Sequence, residues 1–344
     1  MRLFHNDYNA LCHPKILEKI QAGFERQMVG YGEDEICRNA ADRIRKACDA
    51  PNATIHFLCG GTQANLTVIA ASLRPHQAVI GAESAHVNVH ETGAIEATGH
   101  KVIGLSSPNG KITAQQIFDS VTAHWADSSH EHIAQPKMVY ISHPTELGTT
   151  YTLEELKAIR NVCDQKGLYL FVDGARLGYA LAAKDNTISL SDLAGLTDVF
   201  YIGGTKVGAM IGEAVVISNP ALAEDFRYLI KQRGGMLAKG WLLGMQFETL
   251  FEDNLYTQIA DYANSLADCI RAALAEAGYP LAYPGTTNQI FAVIPDDVLE
   301  KLGREFKYSY WEKADEHHSV VRFCTSWASR SDDVDALCQA LKSK

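Results

Sequence analysis

The sequence predicts an α/β fold: a mostly parallel sheet covered on both faces by helices, with a smaller α+β unit after it. Three observations carry this. From Ala53 onward, apolar runs alternate with helical patterning, and strands separated by helices imply crossover connections. Two of the runs, Leu168–Asp173 and Asp198–Gly203, are apolar almost throughout and lead into polar groups, as strands buried on both faces do. After Met236 the alternation gives way to a long helical stretch and a second, shorter set of strands.

Taken in order, helical periodicity covers about Pro14–Gln27 and Glu35–Cys48. A strand over Thr54–Cys59 runs into Gly60-Gly61 and a helix from Thr62, and short apolar runs near Ala78–Ile80 and over Lys101–Leu105 read as further strands. Strand Lys137–Ser142, helix Leu153–Lys166 and strand Leu168–Asp173 form one βαβ unit, and strands Asp198–Gly203 and Glu213–Ser218 follow. One helix is expected over about Trp241–Glu276, then a strand at Gln289–Ile294, a helix, a strand at Val320–Thr325 and a terminal helix. The division expected is an amino-terminal segment 1–30, a large domain 31–245 and a small α+β domain 246–344.

With 47% hydrophobic and 21% charged residues the chain is an ordinary globular protein that can bury a core. A net charge of -10 without a basic stripe argues against nucleic acid as partner. No apolar run approaches a membrane span, and Met1–Asp7 lacks the apolar segment of a secretory leader. The eight cysteines form no CxxC pair, so free thiols in a reducing, cytoplasmic setting are expected.

Ligands of such sheets collect beyond the carboxyl ends of the strands. Gly61 and Thr62 open a helix there and offer free N–H groups, an anion site suited to a phosphate or an ordinary tight turn. His86 follows a short strand on the same side. His86, His90 and Glu91 imitate half a metal site, but no HExxH pattern or third ligand completes it, and no metal is expected. The His130-Glu131-His132 and His317-His318 clusters read as solvated loops. Asp173 ends an apolar strand, where a carboxylate needs a partner: Arg176, a helix terminus or a cationic ring. Lys206 follows Val199–Thr205 and sits where an amine loses its proton readily and becomes a nucleophile. Together, an aspartate and a lysine at neighbouring strand ends are what pyridoxal 5'-phosphate requires: the lysine takes the aldehyde covalently and the aspartate keeps the ring nitrogen protonated. Arg176 and Arg322 lie within or beside apolar patterns and can each grip a carboxylate, or form a structural ion pair.

In this order Asn6-Asp7-Tyr8, Gly30–Asp34, Gly60–Asn65, Ala85-His86, Val172–Arg176, Gly204–Lys206 and Val321-Arg322 resemble the L-threonine aldolase group of the β-eliminating lyases. The resemblance runs from about Phe4 to the terminal helix, and Asp173-Gly-Ala-Arg176 is its most specific element. It implies an aspartate-aminotransferase-like (fold type I) pyridoxal-phosphate enzyme with a seven-stranded-type sheet, working as a homodimer or homotetramer with interfacial sites. It further implies Lys206 as the cofactor lysine, Asp173 as the ring-nitrogen partner, His86 stacked on the ring, Gly61 and Thr62 on the phosphate, and Arg176 with Arg322 on the substrate carboxylate. Tyr31 would reach the neighbouring subunit's site, and Lys231 or Arg233 would supply a phosphate contact across the interface. Asn6 stands where many members have a serine near the substrate carboxylate, and Glu146 where many have a histidine near the substrate hydroxyl. Both bear on side-chain specificity and neither on the cofactor.

The expected reaction is cleavage of a β-hydroxy-α-amino acid such as threonine or allo-threonine to glycine and an aldehyde. Only a bond perpendicular to the cofactor ring breaks, so the residues that fix the carboxylate choose the reaction. For the base His86 is the first candidate, as a histidine, and Glu146 the second. The alternatives are β-elimination, a phenylserine-type aldolase or racemisation on the same cofactor, and a non-catalytic binding protein that kept the fold. A nicotinamide enzyme is disfavoured because no GxGxxG follows the first strand.

Overall fold

The computed structural model describes residues 1–23 and 25–343. Its centre is a seven-stranded sheet of β1 (Thr54–Leu58), β2 (Gln77–Ala82), β3 (Lys101–Leu105), β4 (Gln135–Ser142), β5 (Tyr169–Asp173), β6 (Val199–Gly203) and β7 (Glu213–Ile217), in the order β1-β7-β6-β5-β4-β2-β3. Strands β6, β5, β4, β2 and β3 are parallel, and β7 runs antiparallel to both of its neighbours. The loop from β6 to β7 is too short for a crossover, so the two pair as a hairpin. As a result β7 begins at the edge where the parallel strands end.

The sheet's residues are the heart of one large core. A second core lies between helix Leu255–Ala277, the terminal helix Ser331–Lys342 and an antiparallel sheet in which β10 (His318–Cys324) lies between β9 (Ser309–Lys313) and β8 (Gln289–Pro295). The long helix joins the two: Leu255 to Ala263 pack into the first core, and Leu266 to Leu274 into the second. The chain's start also belongs to the second core. Arg2–Leu3 pairs with Phe306–Lys307, and Phe4 is buried there with its carbonyl accepting from the Cys324 N–H at 2.7 Å.

Two sequence expectations are revised and two elements are added. Trp241–Glu276 is two helices, Trp241–Leu250 and Leu255–Ala277, broken where Asp253 and Asn254 adopt left-handed φ of 50° and 57°, a conformation these side chains tolerate better than most. The first helix ends at Ala22 against the Gly23 cap, short of Gln27, and Phe24 within the expected range lies outside the described residues. A helix at Ala114–Ala126 and strand β9 were not anticipated. The helix carries a capping box, Thr113 with Gln116.

Candidate active site

The strand ends build one cleft. Cys59 to Thr62 follow β1, His86 follows β2, Ser142 to Glu146 end β4, Asp173 to Arg176 end β5, Thr205 and Lys206 follow β6, and Glu213 starts β7. The cavity is about 330 Å³.

Close backbone contact brings the β5 and β6 ends together. The Gly203 N–H donates to the Gly174 carbonyl at 2.9 Å. A Cβ on Gly174 would overlap the Tyr201 carbonyl oxygen, and one on Gly203 the Ala175 carbonyl. The glycines after Asp173 and before Lys206 are therefore steric requirements.

Asp173 is buried and its carboxylate is fully engaged. Oδ2 accepts from the Tyr140 hydroxyl and from Asn65 Nδ2 at 3.1 Å, and Oδ1 from the Ala175 N–H at 2.9 Å. Asn65 Nδ2 also reaches Glu91 Oε1 at 2.7 Å, and the same oxygen meets His86 Nδ1 at 2.8 Å. Asp173, Asn65, Glu91 and His86 thus form one network, with Glu91's side chain wholly enclosed. Such contacts fix the imidazole's orientation, leaving Nε2 as its free nitrogen.

Among the described residues no acceptor takes the Lys206 amine, and burial with the nearby Arg176 charge pushes its titration down. The facing Glu213 carboxyl is pushed up by burial and accepts from the Gly204 N–H at 3.2 Å. Both shifts favour neutral forms.

Helix Gly61–Ser72 points its amino end at the cleft with Gly60 as cap and no side chain closing it. Gln63 holds the turn, accepting from the Cys59 N–H at 3.1 Å and donating to the Arg233 carbonyl at 3.1 Å. A Cβ on Gly61 would stand 3.0 Å from the Tyr201 hydroxyl. The result is an open cradle for an anion.

Arg176 lines the cleft but is partly committed. Its Nε and Nη2 donate to both oxygens of Asp7 at 2.7 and 3.0 Å, and Asn288 donates to Asp7 at 2.9 Å. Burial alone would raise the Asp7 carboxyl; Arg176 outweighs it and holds the group down at about 2. The remaining guanidinium nitrogen, Nη1, is left for a ligand. Arg322 stands on β10 outside the cleft wall, donating to the His5 carbonyl at 3.0 Å and to Gln289 Oε1 at 3.2 Å. Asn6 is also outside the wall, where Tyr8 takes its place. Tyr31 lies apart from the cleft, 48% exposed at φ 63°, with the Lys231 amine 5.2 Å from its ring. Glu146 is in the wall: its Oε1 accepts from Ser142 Oγ at 2.6 Å and from the His86 N–H at 2.9 Å, and burial raises its carboxyl.

Of the residues expected at the site, Lys206, Asp173, His86, Gly61, Thr62, Arg176 and Glu146 come together, whereas Arg322, Asn6 and Tyr31 do not line the cavity. Tyr140, Tyr201, Ser142 and Glu213 complete the network without having been singled out, and Glu91, weighed only as half of a metal site, joins it through His86 and Asn65. Glu213 had a readable signal, a carboxylate opening an otherwise apolar strand. Tyr140 reads as a core aromatic until its hydroxyl is seen on Asp173.

An anion cradle, an unpaired amine and a buried carboxylate at the strand ends define an enzyme centre, and comparison with known proteins gives the class: the chain belongs to the beta-eliminating lyase family, whose sequence profile matches residues 14–297. Among its relatives, a low specificity L-threonine aldolase of a Pseudomonas species is 34% identical over 86% of this chain and 85% of its own length. One from Pseudomonas aeruginosa is 31% identical over 98% and 96%. The structure of Leishmania major threonine aldolase superposes with a TM-score of 0.97 at 43% identity, covering 99% of both chains. Thermus thermophilus aspartate aminotransferase shares the fold, at TM-score 0.73 and 13% identity over 99% of this chain and 95% of that one.

Proposed function

We propose that this protein is a pyridoxal-phosphate-dependent aldolase that cleaves threonine, allo-threonine and related β-hydroxy-α-amino acids to glycine and an aldehyde. The observation that carries the reading is the unpaired Lys206 amine in one cleft with the Asp173 carboxylate and the open helix end at Gly61 and Thr62. The threonine aldolase relatives supply the substrate class. The residues fit the cofactor: Gly61 leaves room a Cβ would fill, and Asp173 sits where a cationic ring nitrogen would be held by an anion.

Bound there, the cofactor supplies an electron sink for the pair left on Cα when Cα–Cβ breaks. Lys206, with its proton loosely held, is the amine that holds it. Asp173 keeps its charge in place through Tyr140, Asn65 and the Ala175 N–H. Arg176, held by Asp7, directs Nη1 at the substrate carboxylate and so selects the bond. We place the protein in the cytoplasm, a reading supported by its eight free cysteines. Among the described residues no helix is long and apolar enough to cross a membrane. We infer a homodimer or homotetramer in which Tyr31 serves the neighbouring site, supported by its exposure away from its own cleft.

Incubation with L-threonine and with L-allo-threonine, measuring glycine and acetaldehyde, tests the reading. Equal amounts of both products support it; 2-oxobutyrate and ammonia in their place would move the assignment to β-elimination.

A further inference from the structure

We infer that Glu146 is the group that takes the proton from the substrate's β-hydroxyl, with Ser142 and the His86 N–H as the clamp that aims it. The inference rests on the aldolase reading and adds to it the identity of the base.

The cleft that holds Arg176 and Lys206 is also lined by Ser142, Pro144, Thr145, Glu146 and His86. A substrate whose carboxylate meets Arg176 and whose amine lies at Lys206 has its hydroxyl in the same cavity as Glu146 and His86. The two candidates there are occupied differently. His86 gives Nδ1 to Glu91 and its backbone N–H to Glu146. Glu146 spends a single oxygen: Oε1 takes both the Ser142 hydroxyl at 2.6 Å and the His86 N–H at 2.9 Å, while no side chain among the described residues donates to Oε2. The two donors hold Oε1 and leave Oε2 as the oxygen open to a ligand. His86 Nε2 is free as well, but its imidazole is the group expected to stack on the cofactor ring, so Oε2 is the undonated acceptor offered to the substrate's hydroxyl.

The groups around Glu146 suit a base that must hold a proton briefly. Asp173, Tyr140 and Tyr151 lie near enough to act on it or to feel it, Glu91 lies behind His86, and burial followed by the Asp173 charge makes its protonated form easier to reach. In the step itself the β O–H bond breaks and its proton goes to Oε2. The oxygen's electron pair becomes the second bond of the aldehyde carbonyl as the Cα–Cβ bond breaks, and that bond's pair stays on Cα. A proton then returns to Cα, directly or through solvent, so no co-reactant is consumed.

The test compares threonine cleavage with exchange of glycine's Cα hydrogen in D2O, which breaks no Cα–Cβ bond and removes no hydroxyl proton. Glu146→Gln is expected to lower kcat for threonine by about 100-fold or more with KM within about threefold, to abolish the acid limb of the kcat/KM profile, and to change glycine exchange by less than about threefold. Glu146→Asp is expected to recover part of kcat. Threonine cleavage within about fivefold of wild type with the acid limb kept would overturn the assignment, as would glycine exchange falling as far as cleavage, which marks a structural role. Wild-type protein that catalyses neither reaction would instead sink the aldolase reading itself.

Discussion

At the scale of single residues, most of the cleft is chosen by what each polar group lacks or has. Among the described residues Lys206 has no acceptor, Asp173 has three donors, and Arg176 has two of its nitrogens held by Asp7. Asp7→Asn should free Arg176 to swing from the cleft, raising KM for threonine at least about tenfold, and should destabilise the fold by about 3 kcal/mol because it leaves a buried guanidinium unpaired; steady-state kinetics and urea unfolding measure both. The same pair sets an acid limit. The Asp7 carboxyl is lower folded than its ordinary 3.8. Its stabilisation, about 2 kcal/mol, is therefore complete above that value and is lost as pH falls towards about 2. The lysine, the aspartate and both glycines could be read from the sequence because each breaks an apolar run. Glu91 and Asn65 could not, since their meaning lies in Asn65 meeting Glu91 across 26 residues of chain and Asp173 across 108.

At the scale of elements, the decisive feature is that two strand ends nearly touch. Gly203→Ala pushes a methyl into the Ala175 carbonyl and should cost about 1–3 kcal/mol while abolishing cofactor binding. Gly195→Ala, in helix Leu190–Leu196 where a Cβ meets nothing within 4 Å, should raise stability by about 0.5–1 kcal/mol and leave cofactor binding unchanged. Thermal melts and visible absorbance compare the pair. The strands were legible because strands buried on both faces are written as apolar runs. The helix at Ala114–Ala126 was harder to see: its buried positions Ile117, Val121 and His124 are few and one is polar, so the periodic signal is thin. Its capping box was the better clue, and Thr113→Ala should remove about 1 kcal/mol of stability in urea unfolding. The break at Asp253 and Asn254 had only that Asp-Asn pair as its signal, with no glycine or proline to interrupt the helical pattern.

At the scale of the whole molecule, the chain's first residues lie in the small core yet deliver Asp7 and Tyr8 to the cleft of the large one. The cleft therefore depends on how both cores are joined, which sequence order alone does not display. Tyr31 faces outward with Lys231, Arg227 and Tyr228 beside it. If it serves a neighbour's site, mixing inactive Lys206→Ala with impaired Tyr31→Ala subunits should restore roughly a quarter of wild-type activity, because hybrid dimers contain one intact site; no gain on mixing would confine Tyr31 to its own subunit. The claim on which everything else stands is that Lys206 carries the cofactor. Borohydride treatment of protein loaded with pyridoxal phosphate, followed by peptide mass mapping, tests it most directly. The account predicts loss of the visible band and one reduced pyridoxyl adduct, on Lys206. An adduct on any other lysine, or a band that forms equally in Lys206→Ala, would contradict it.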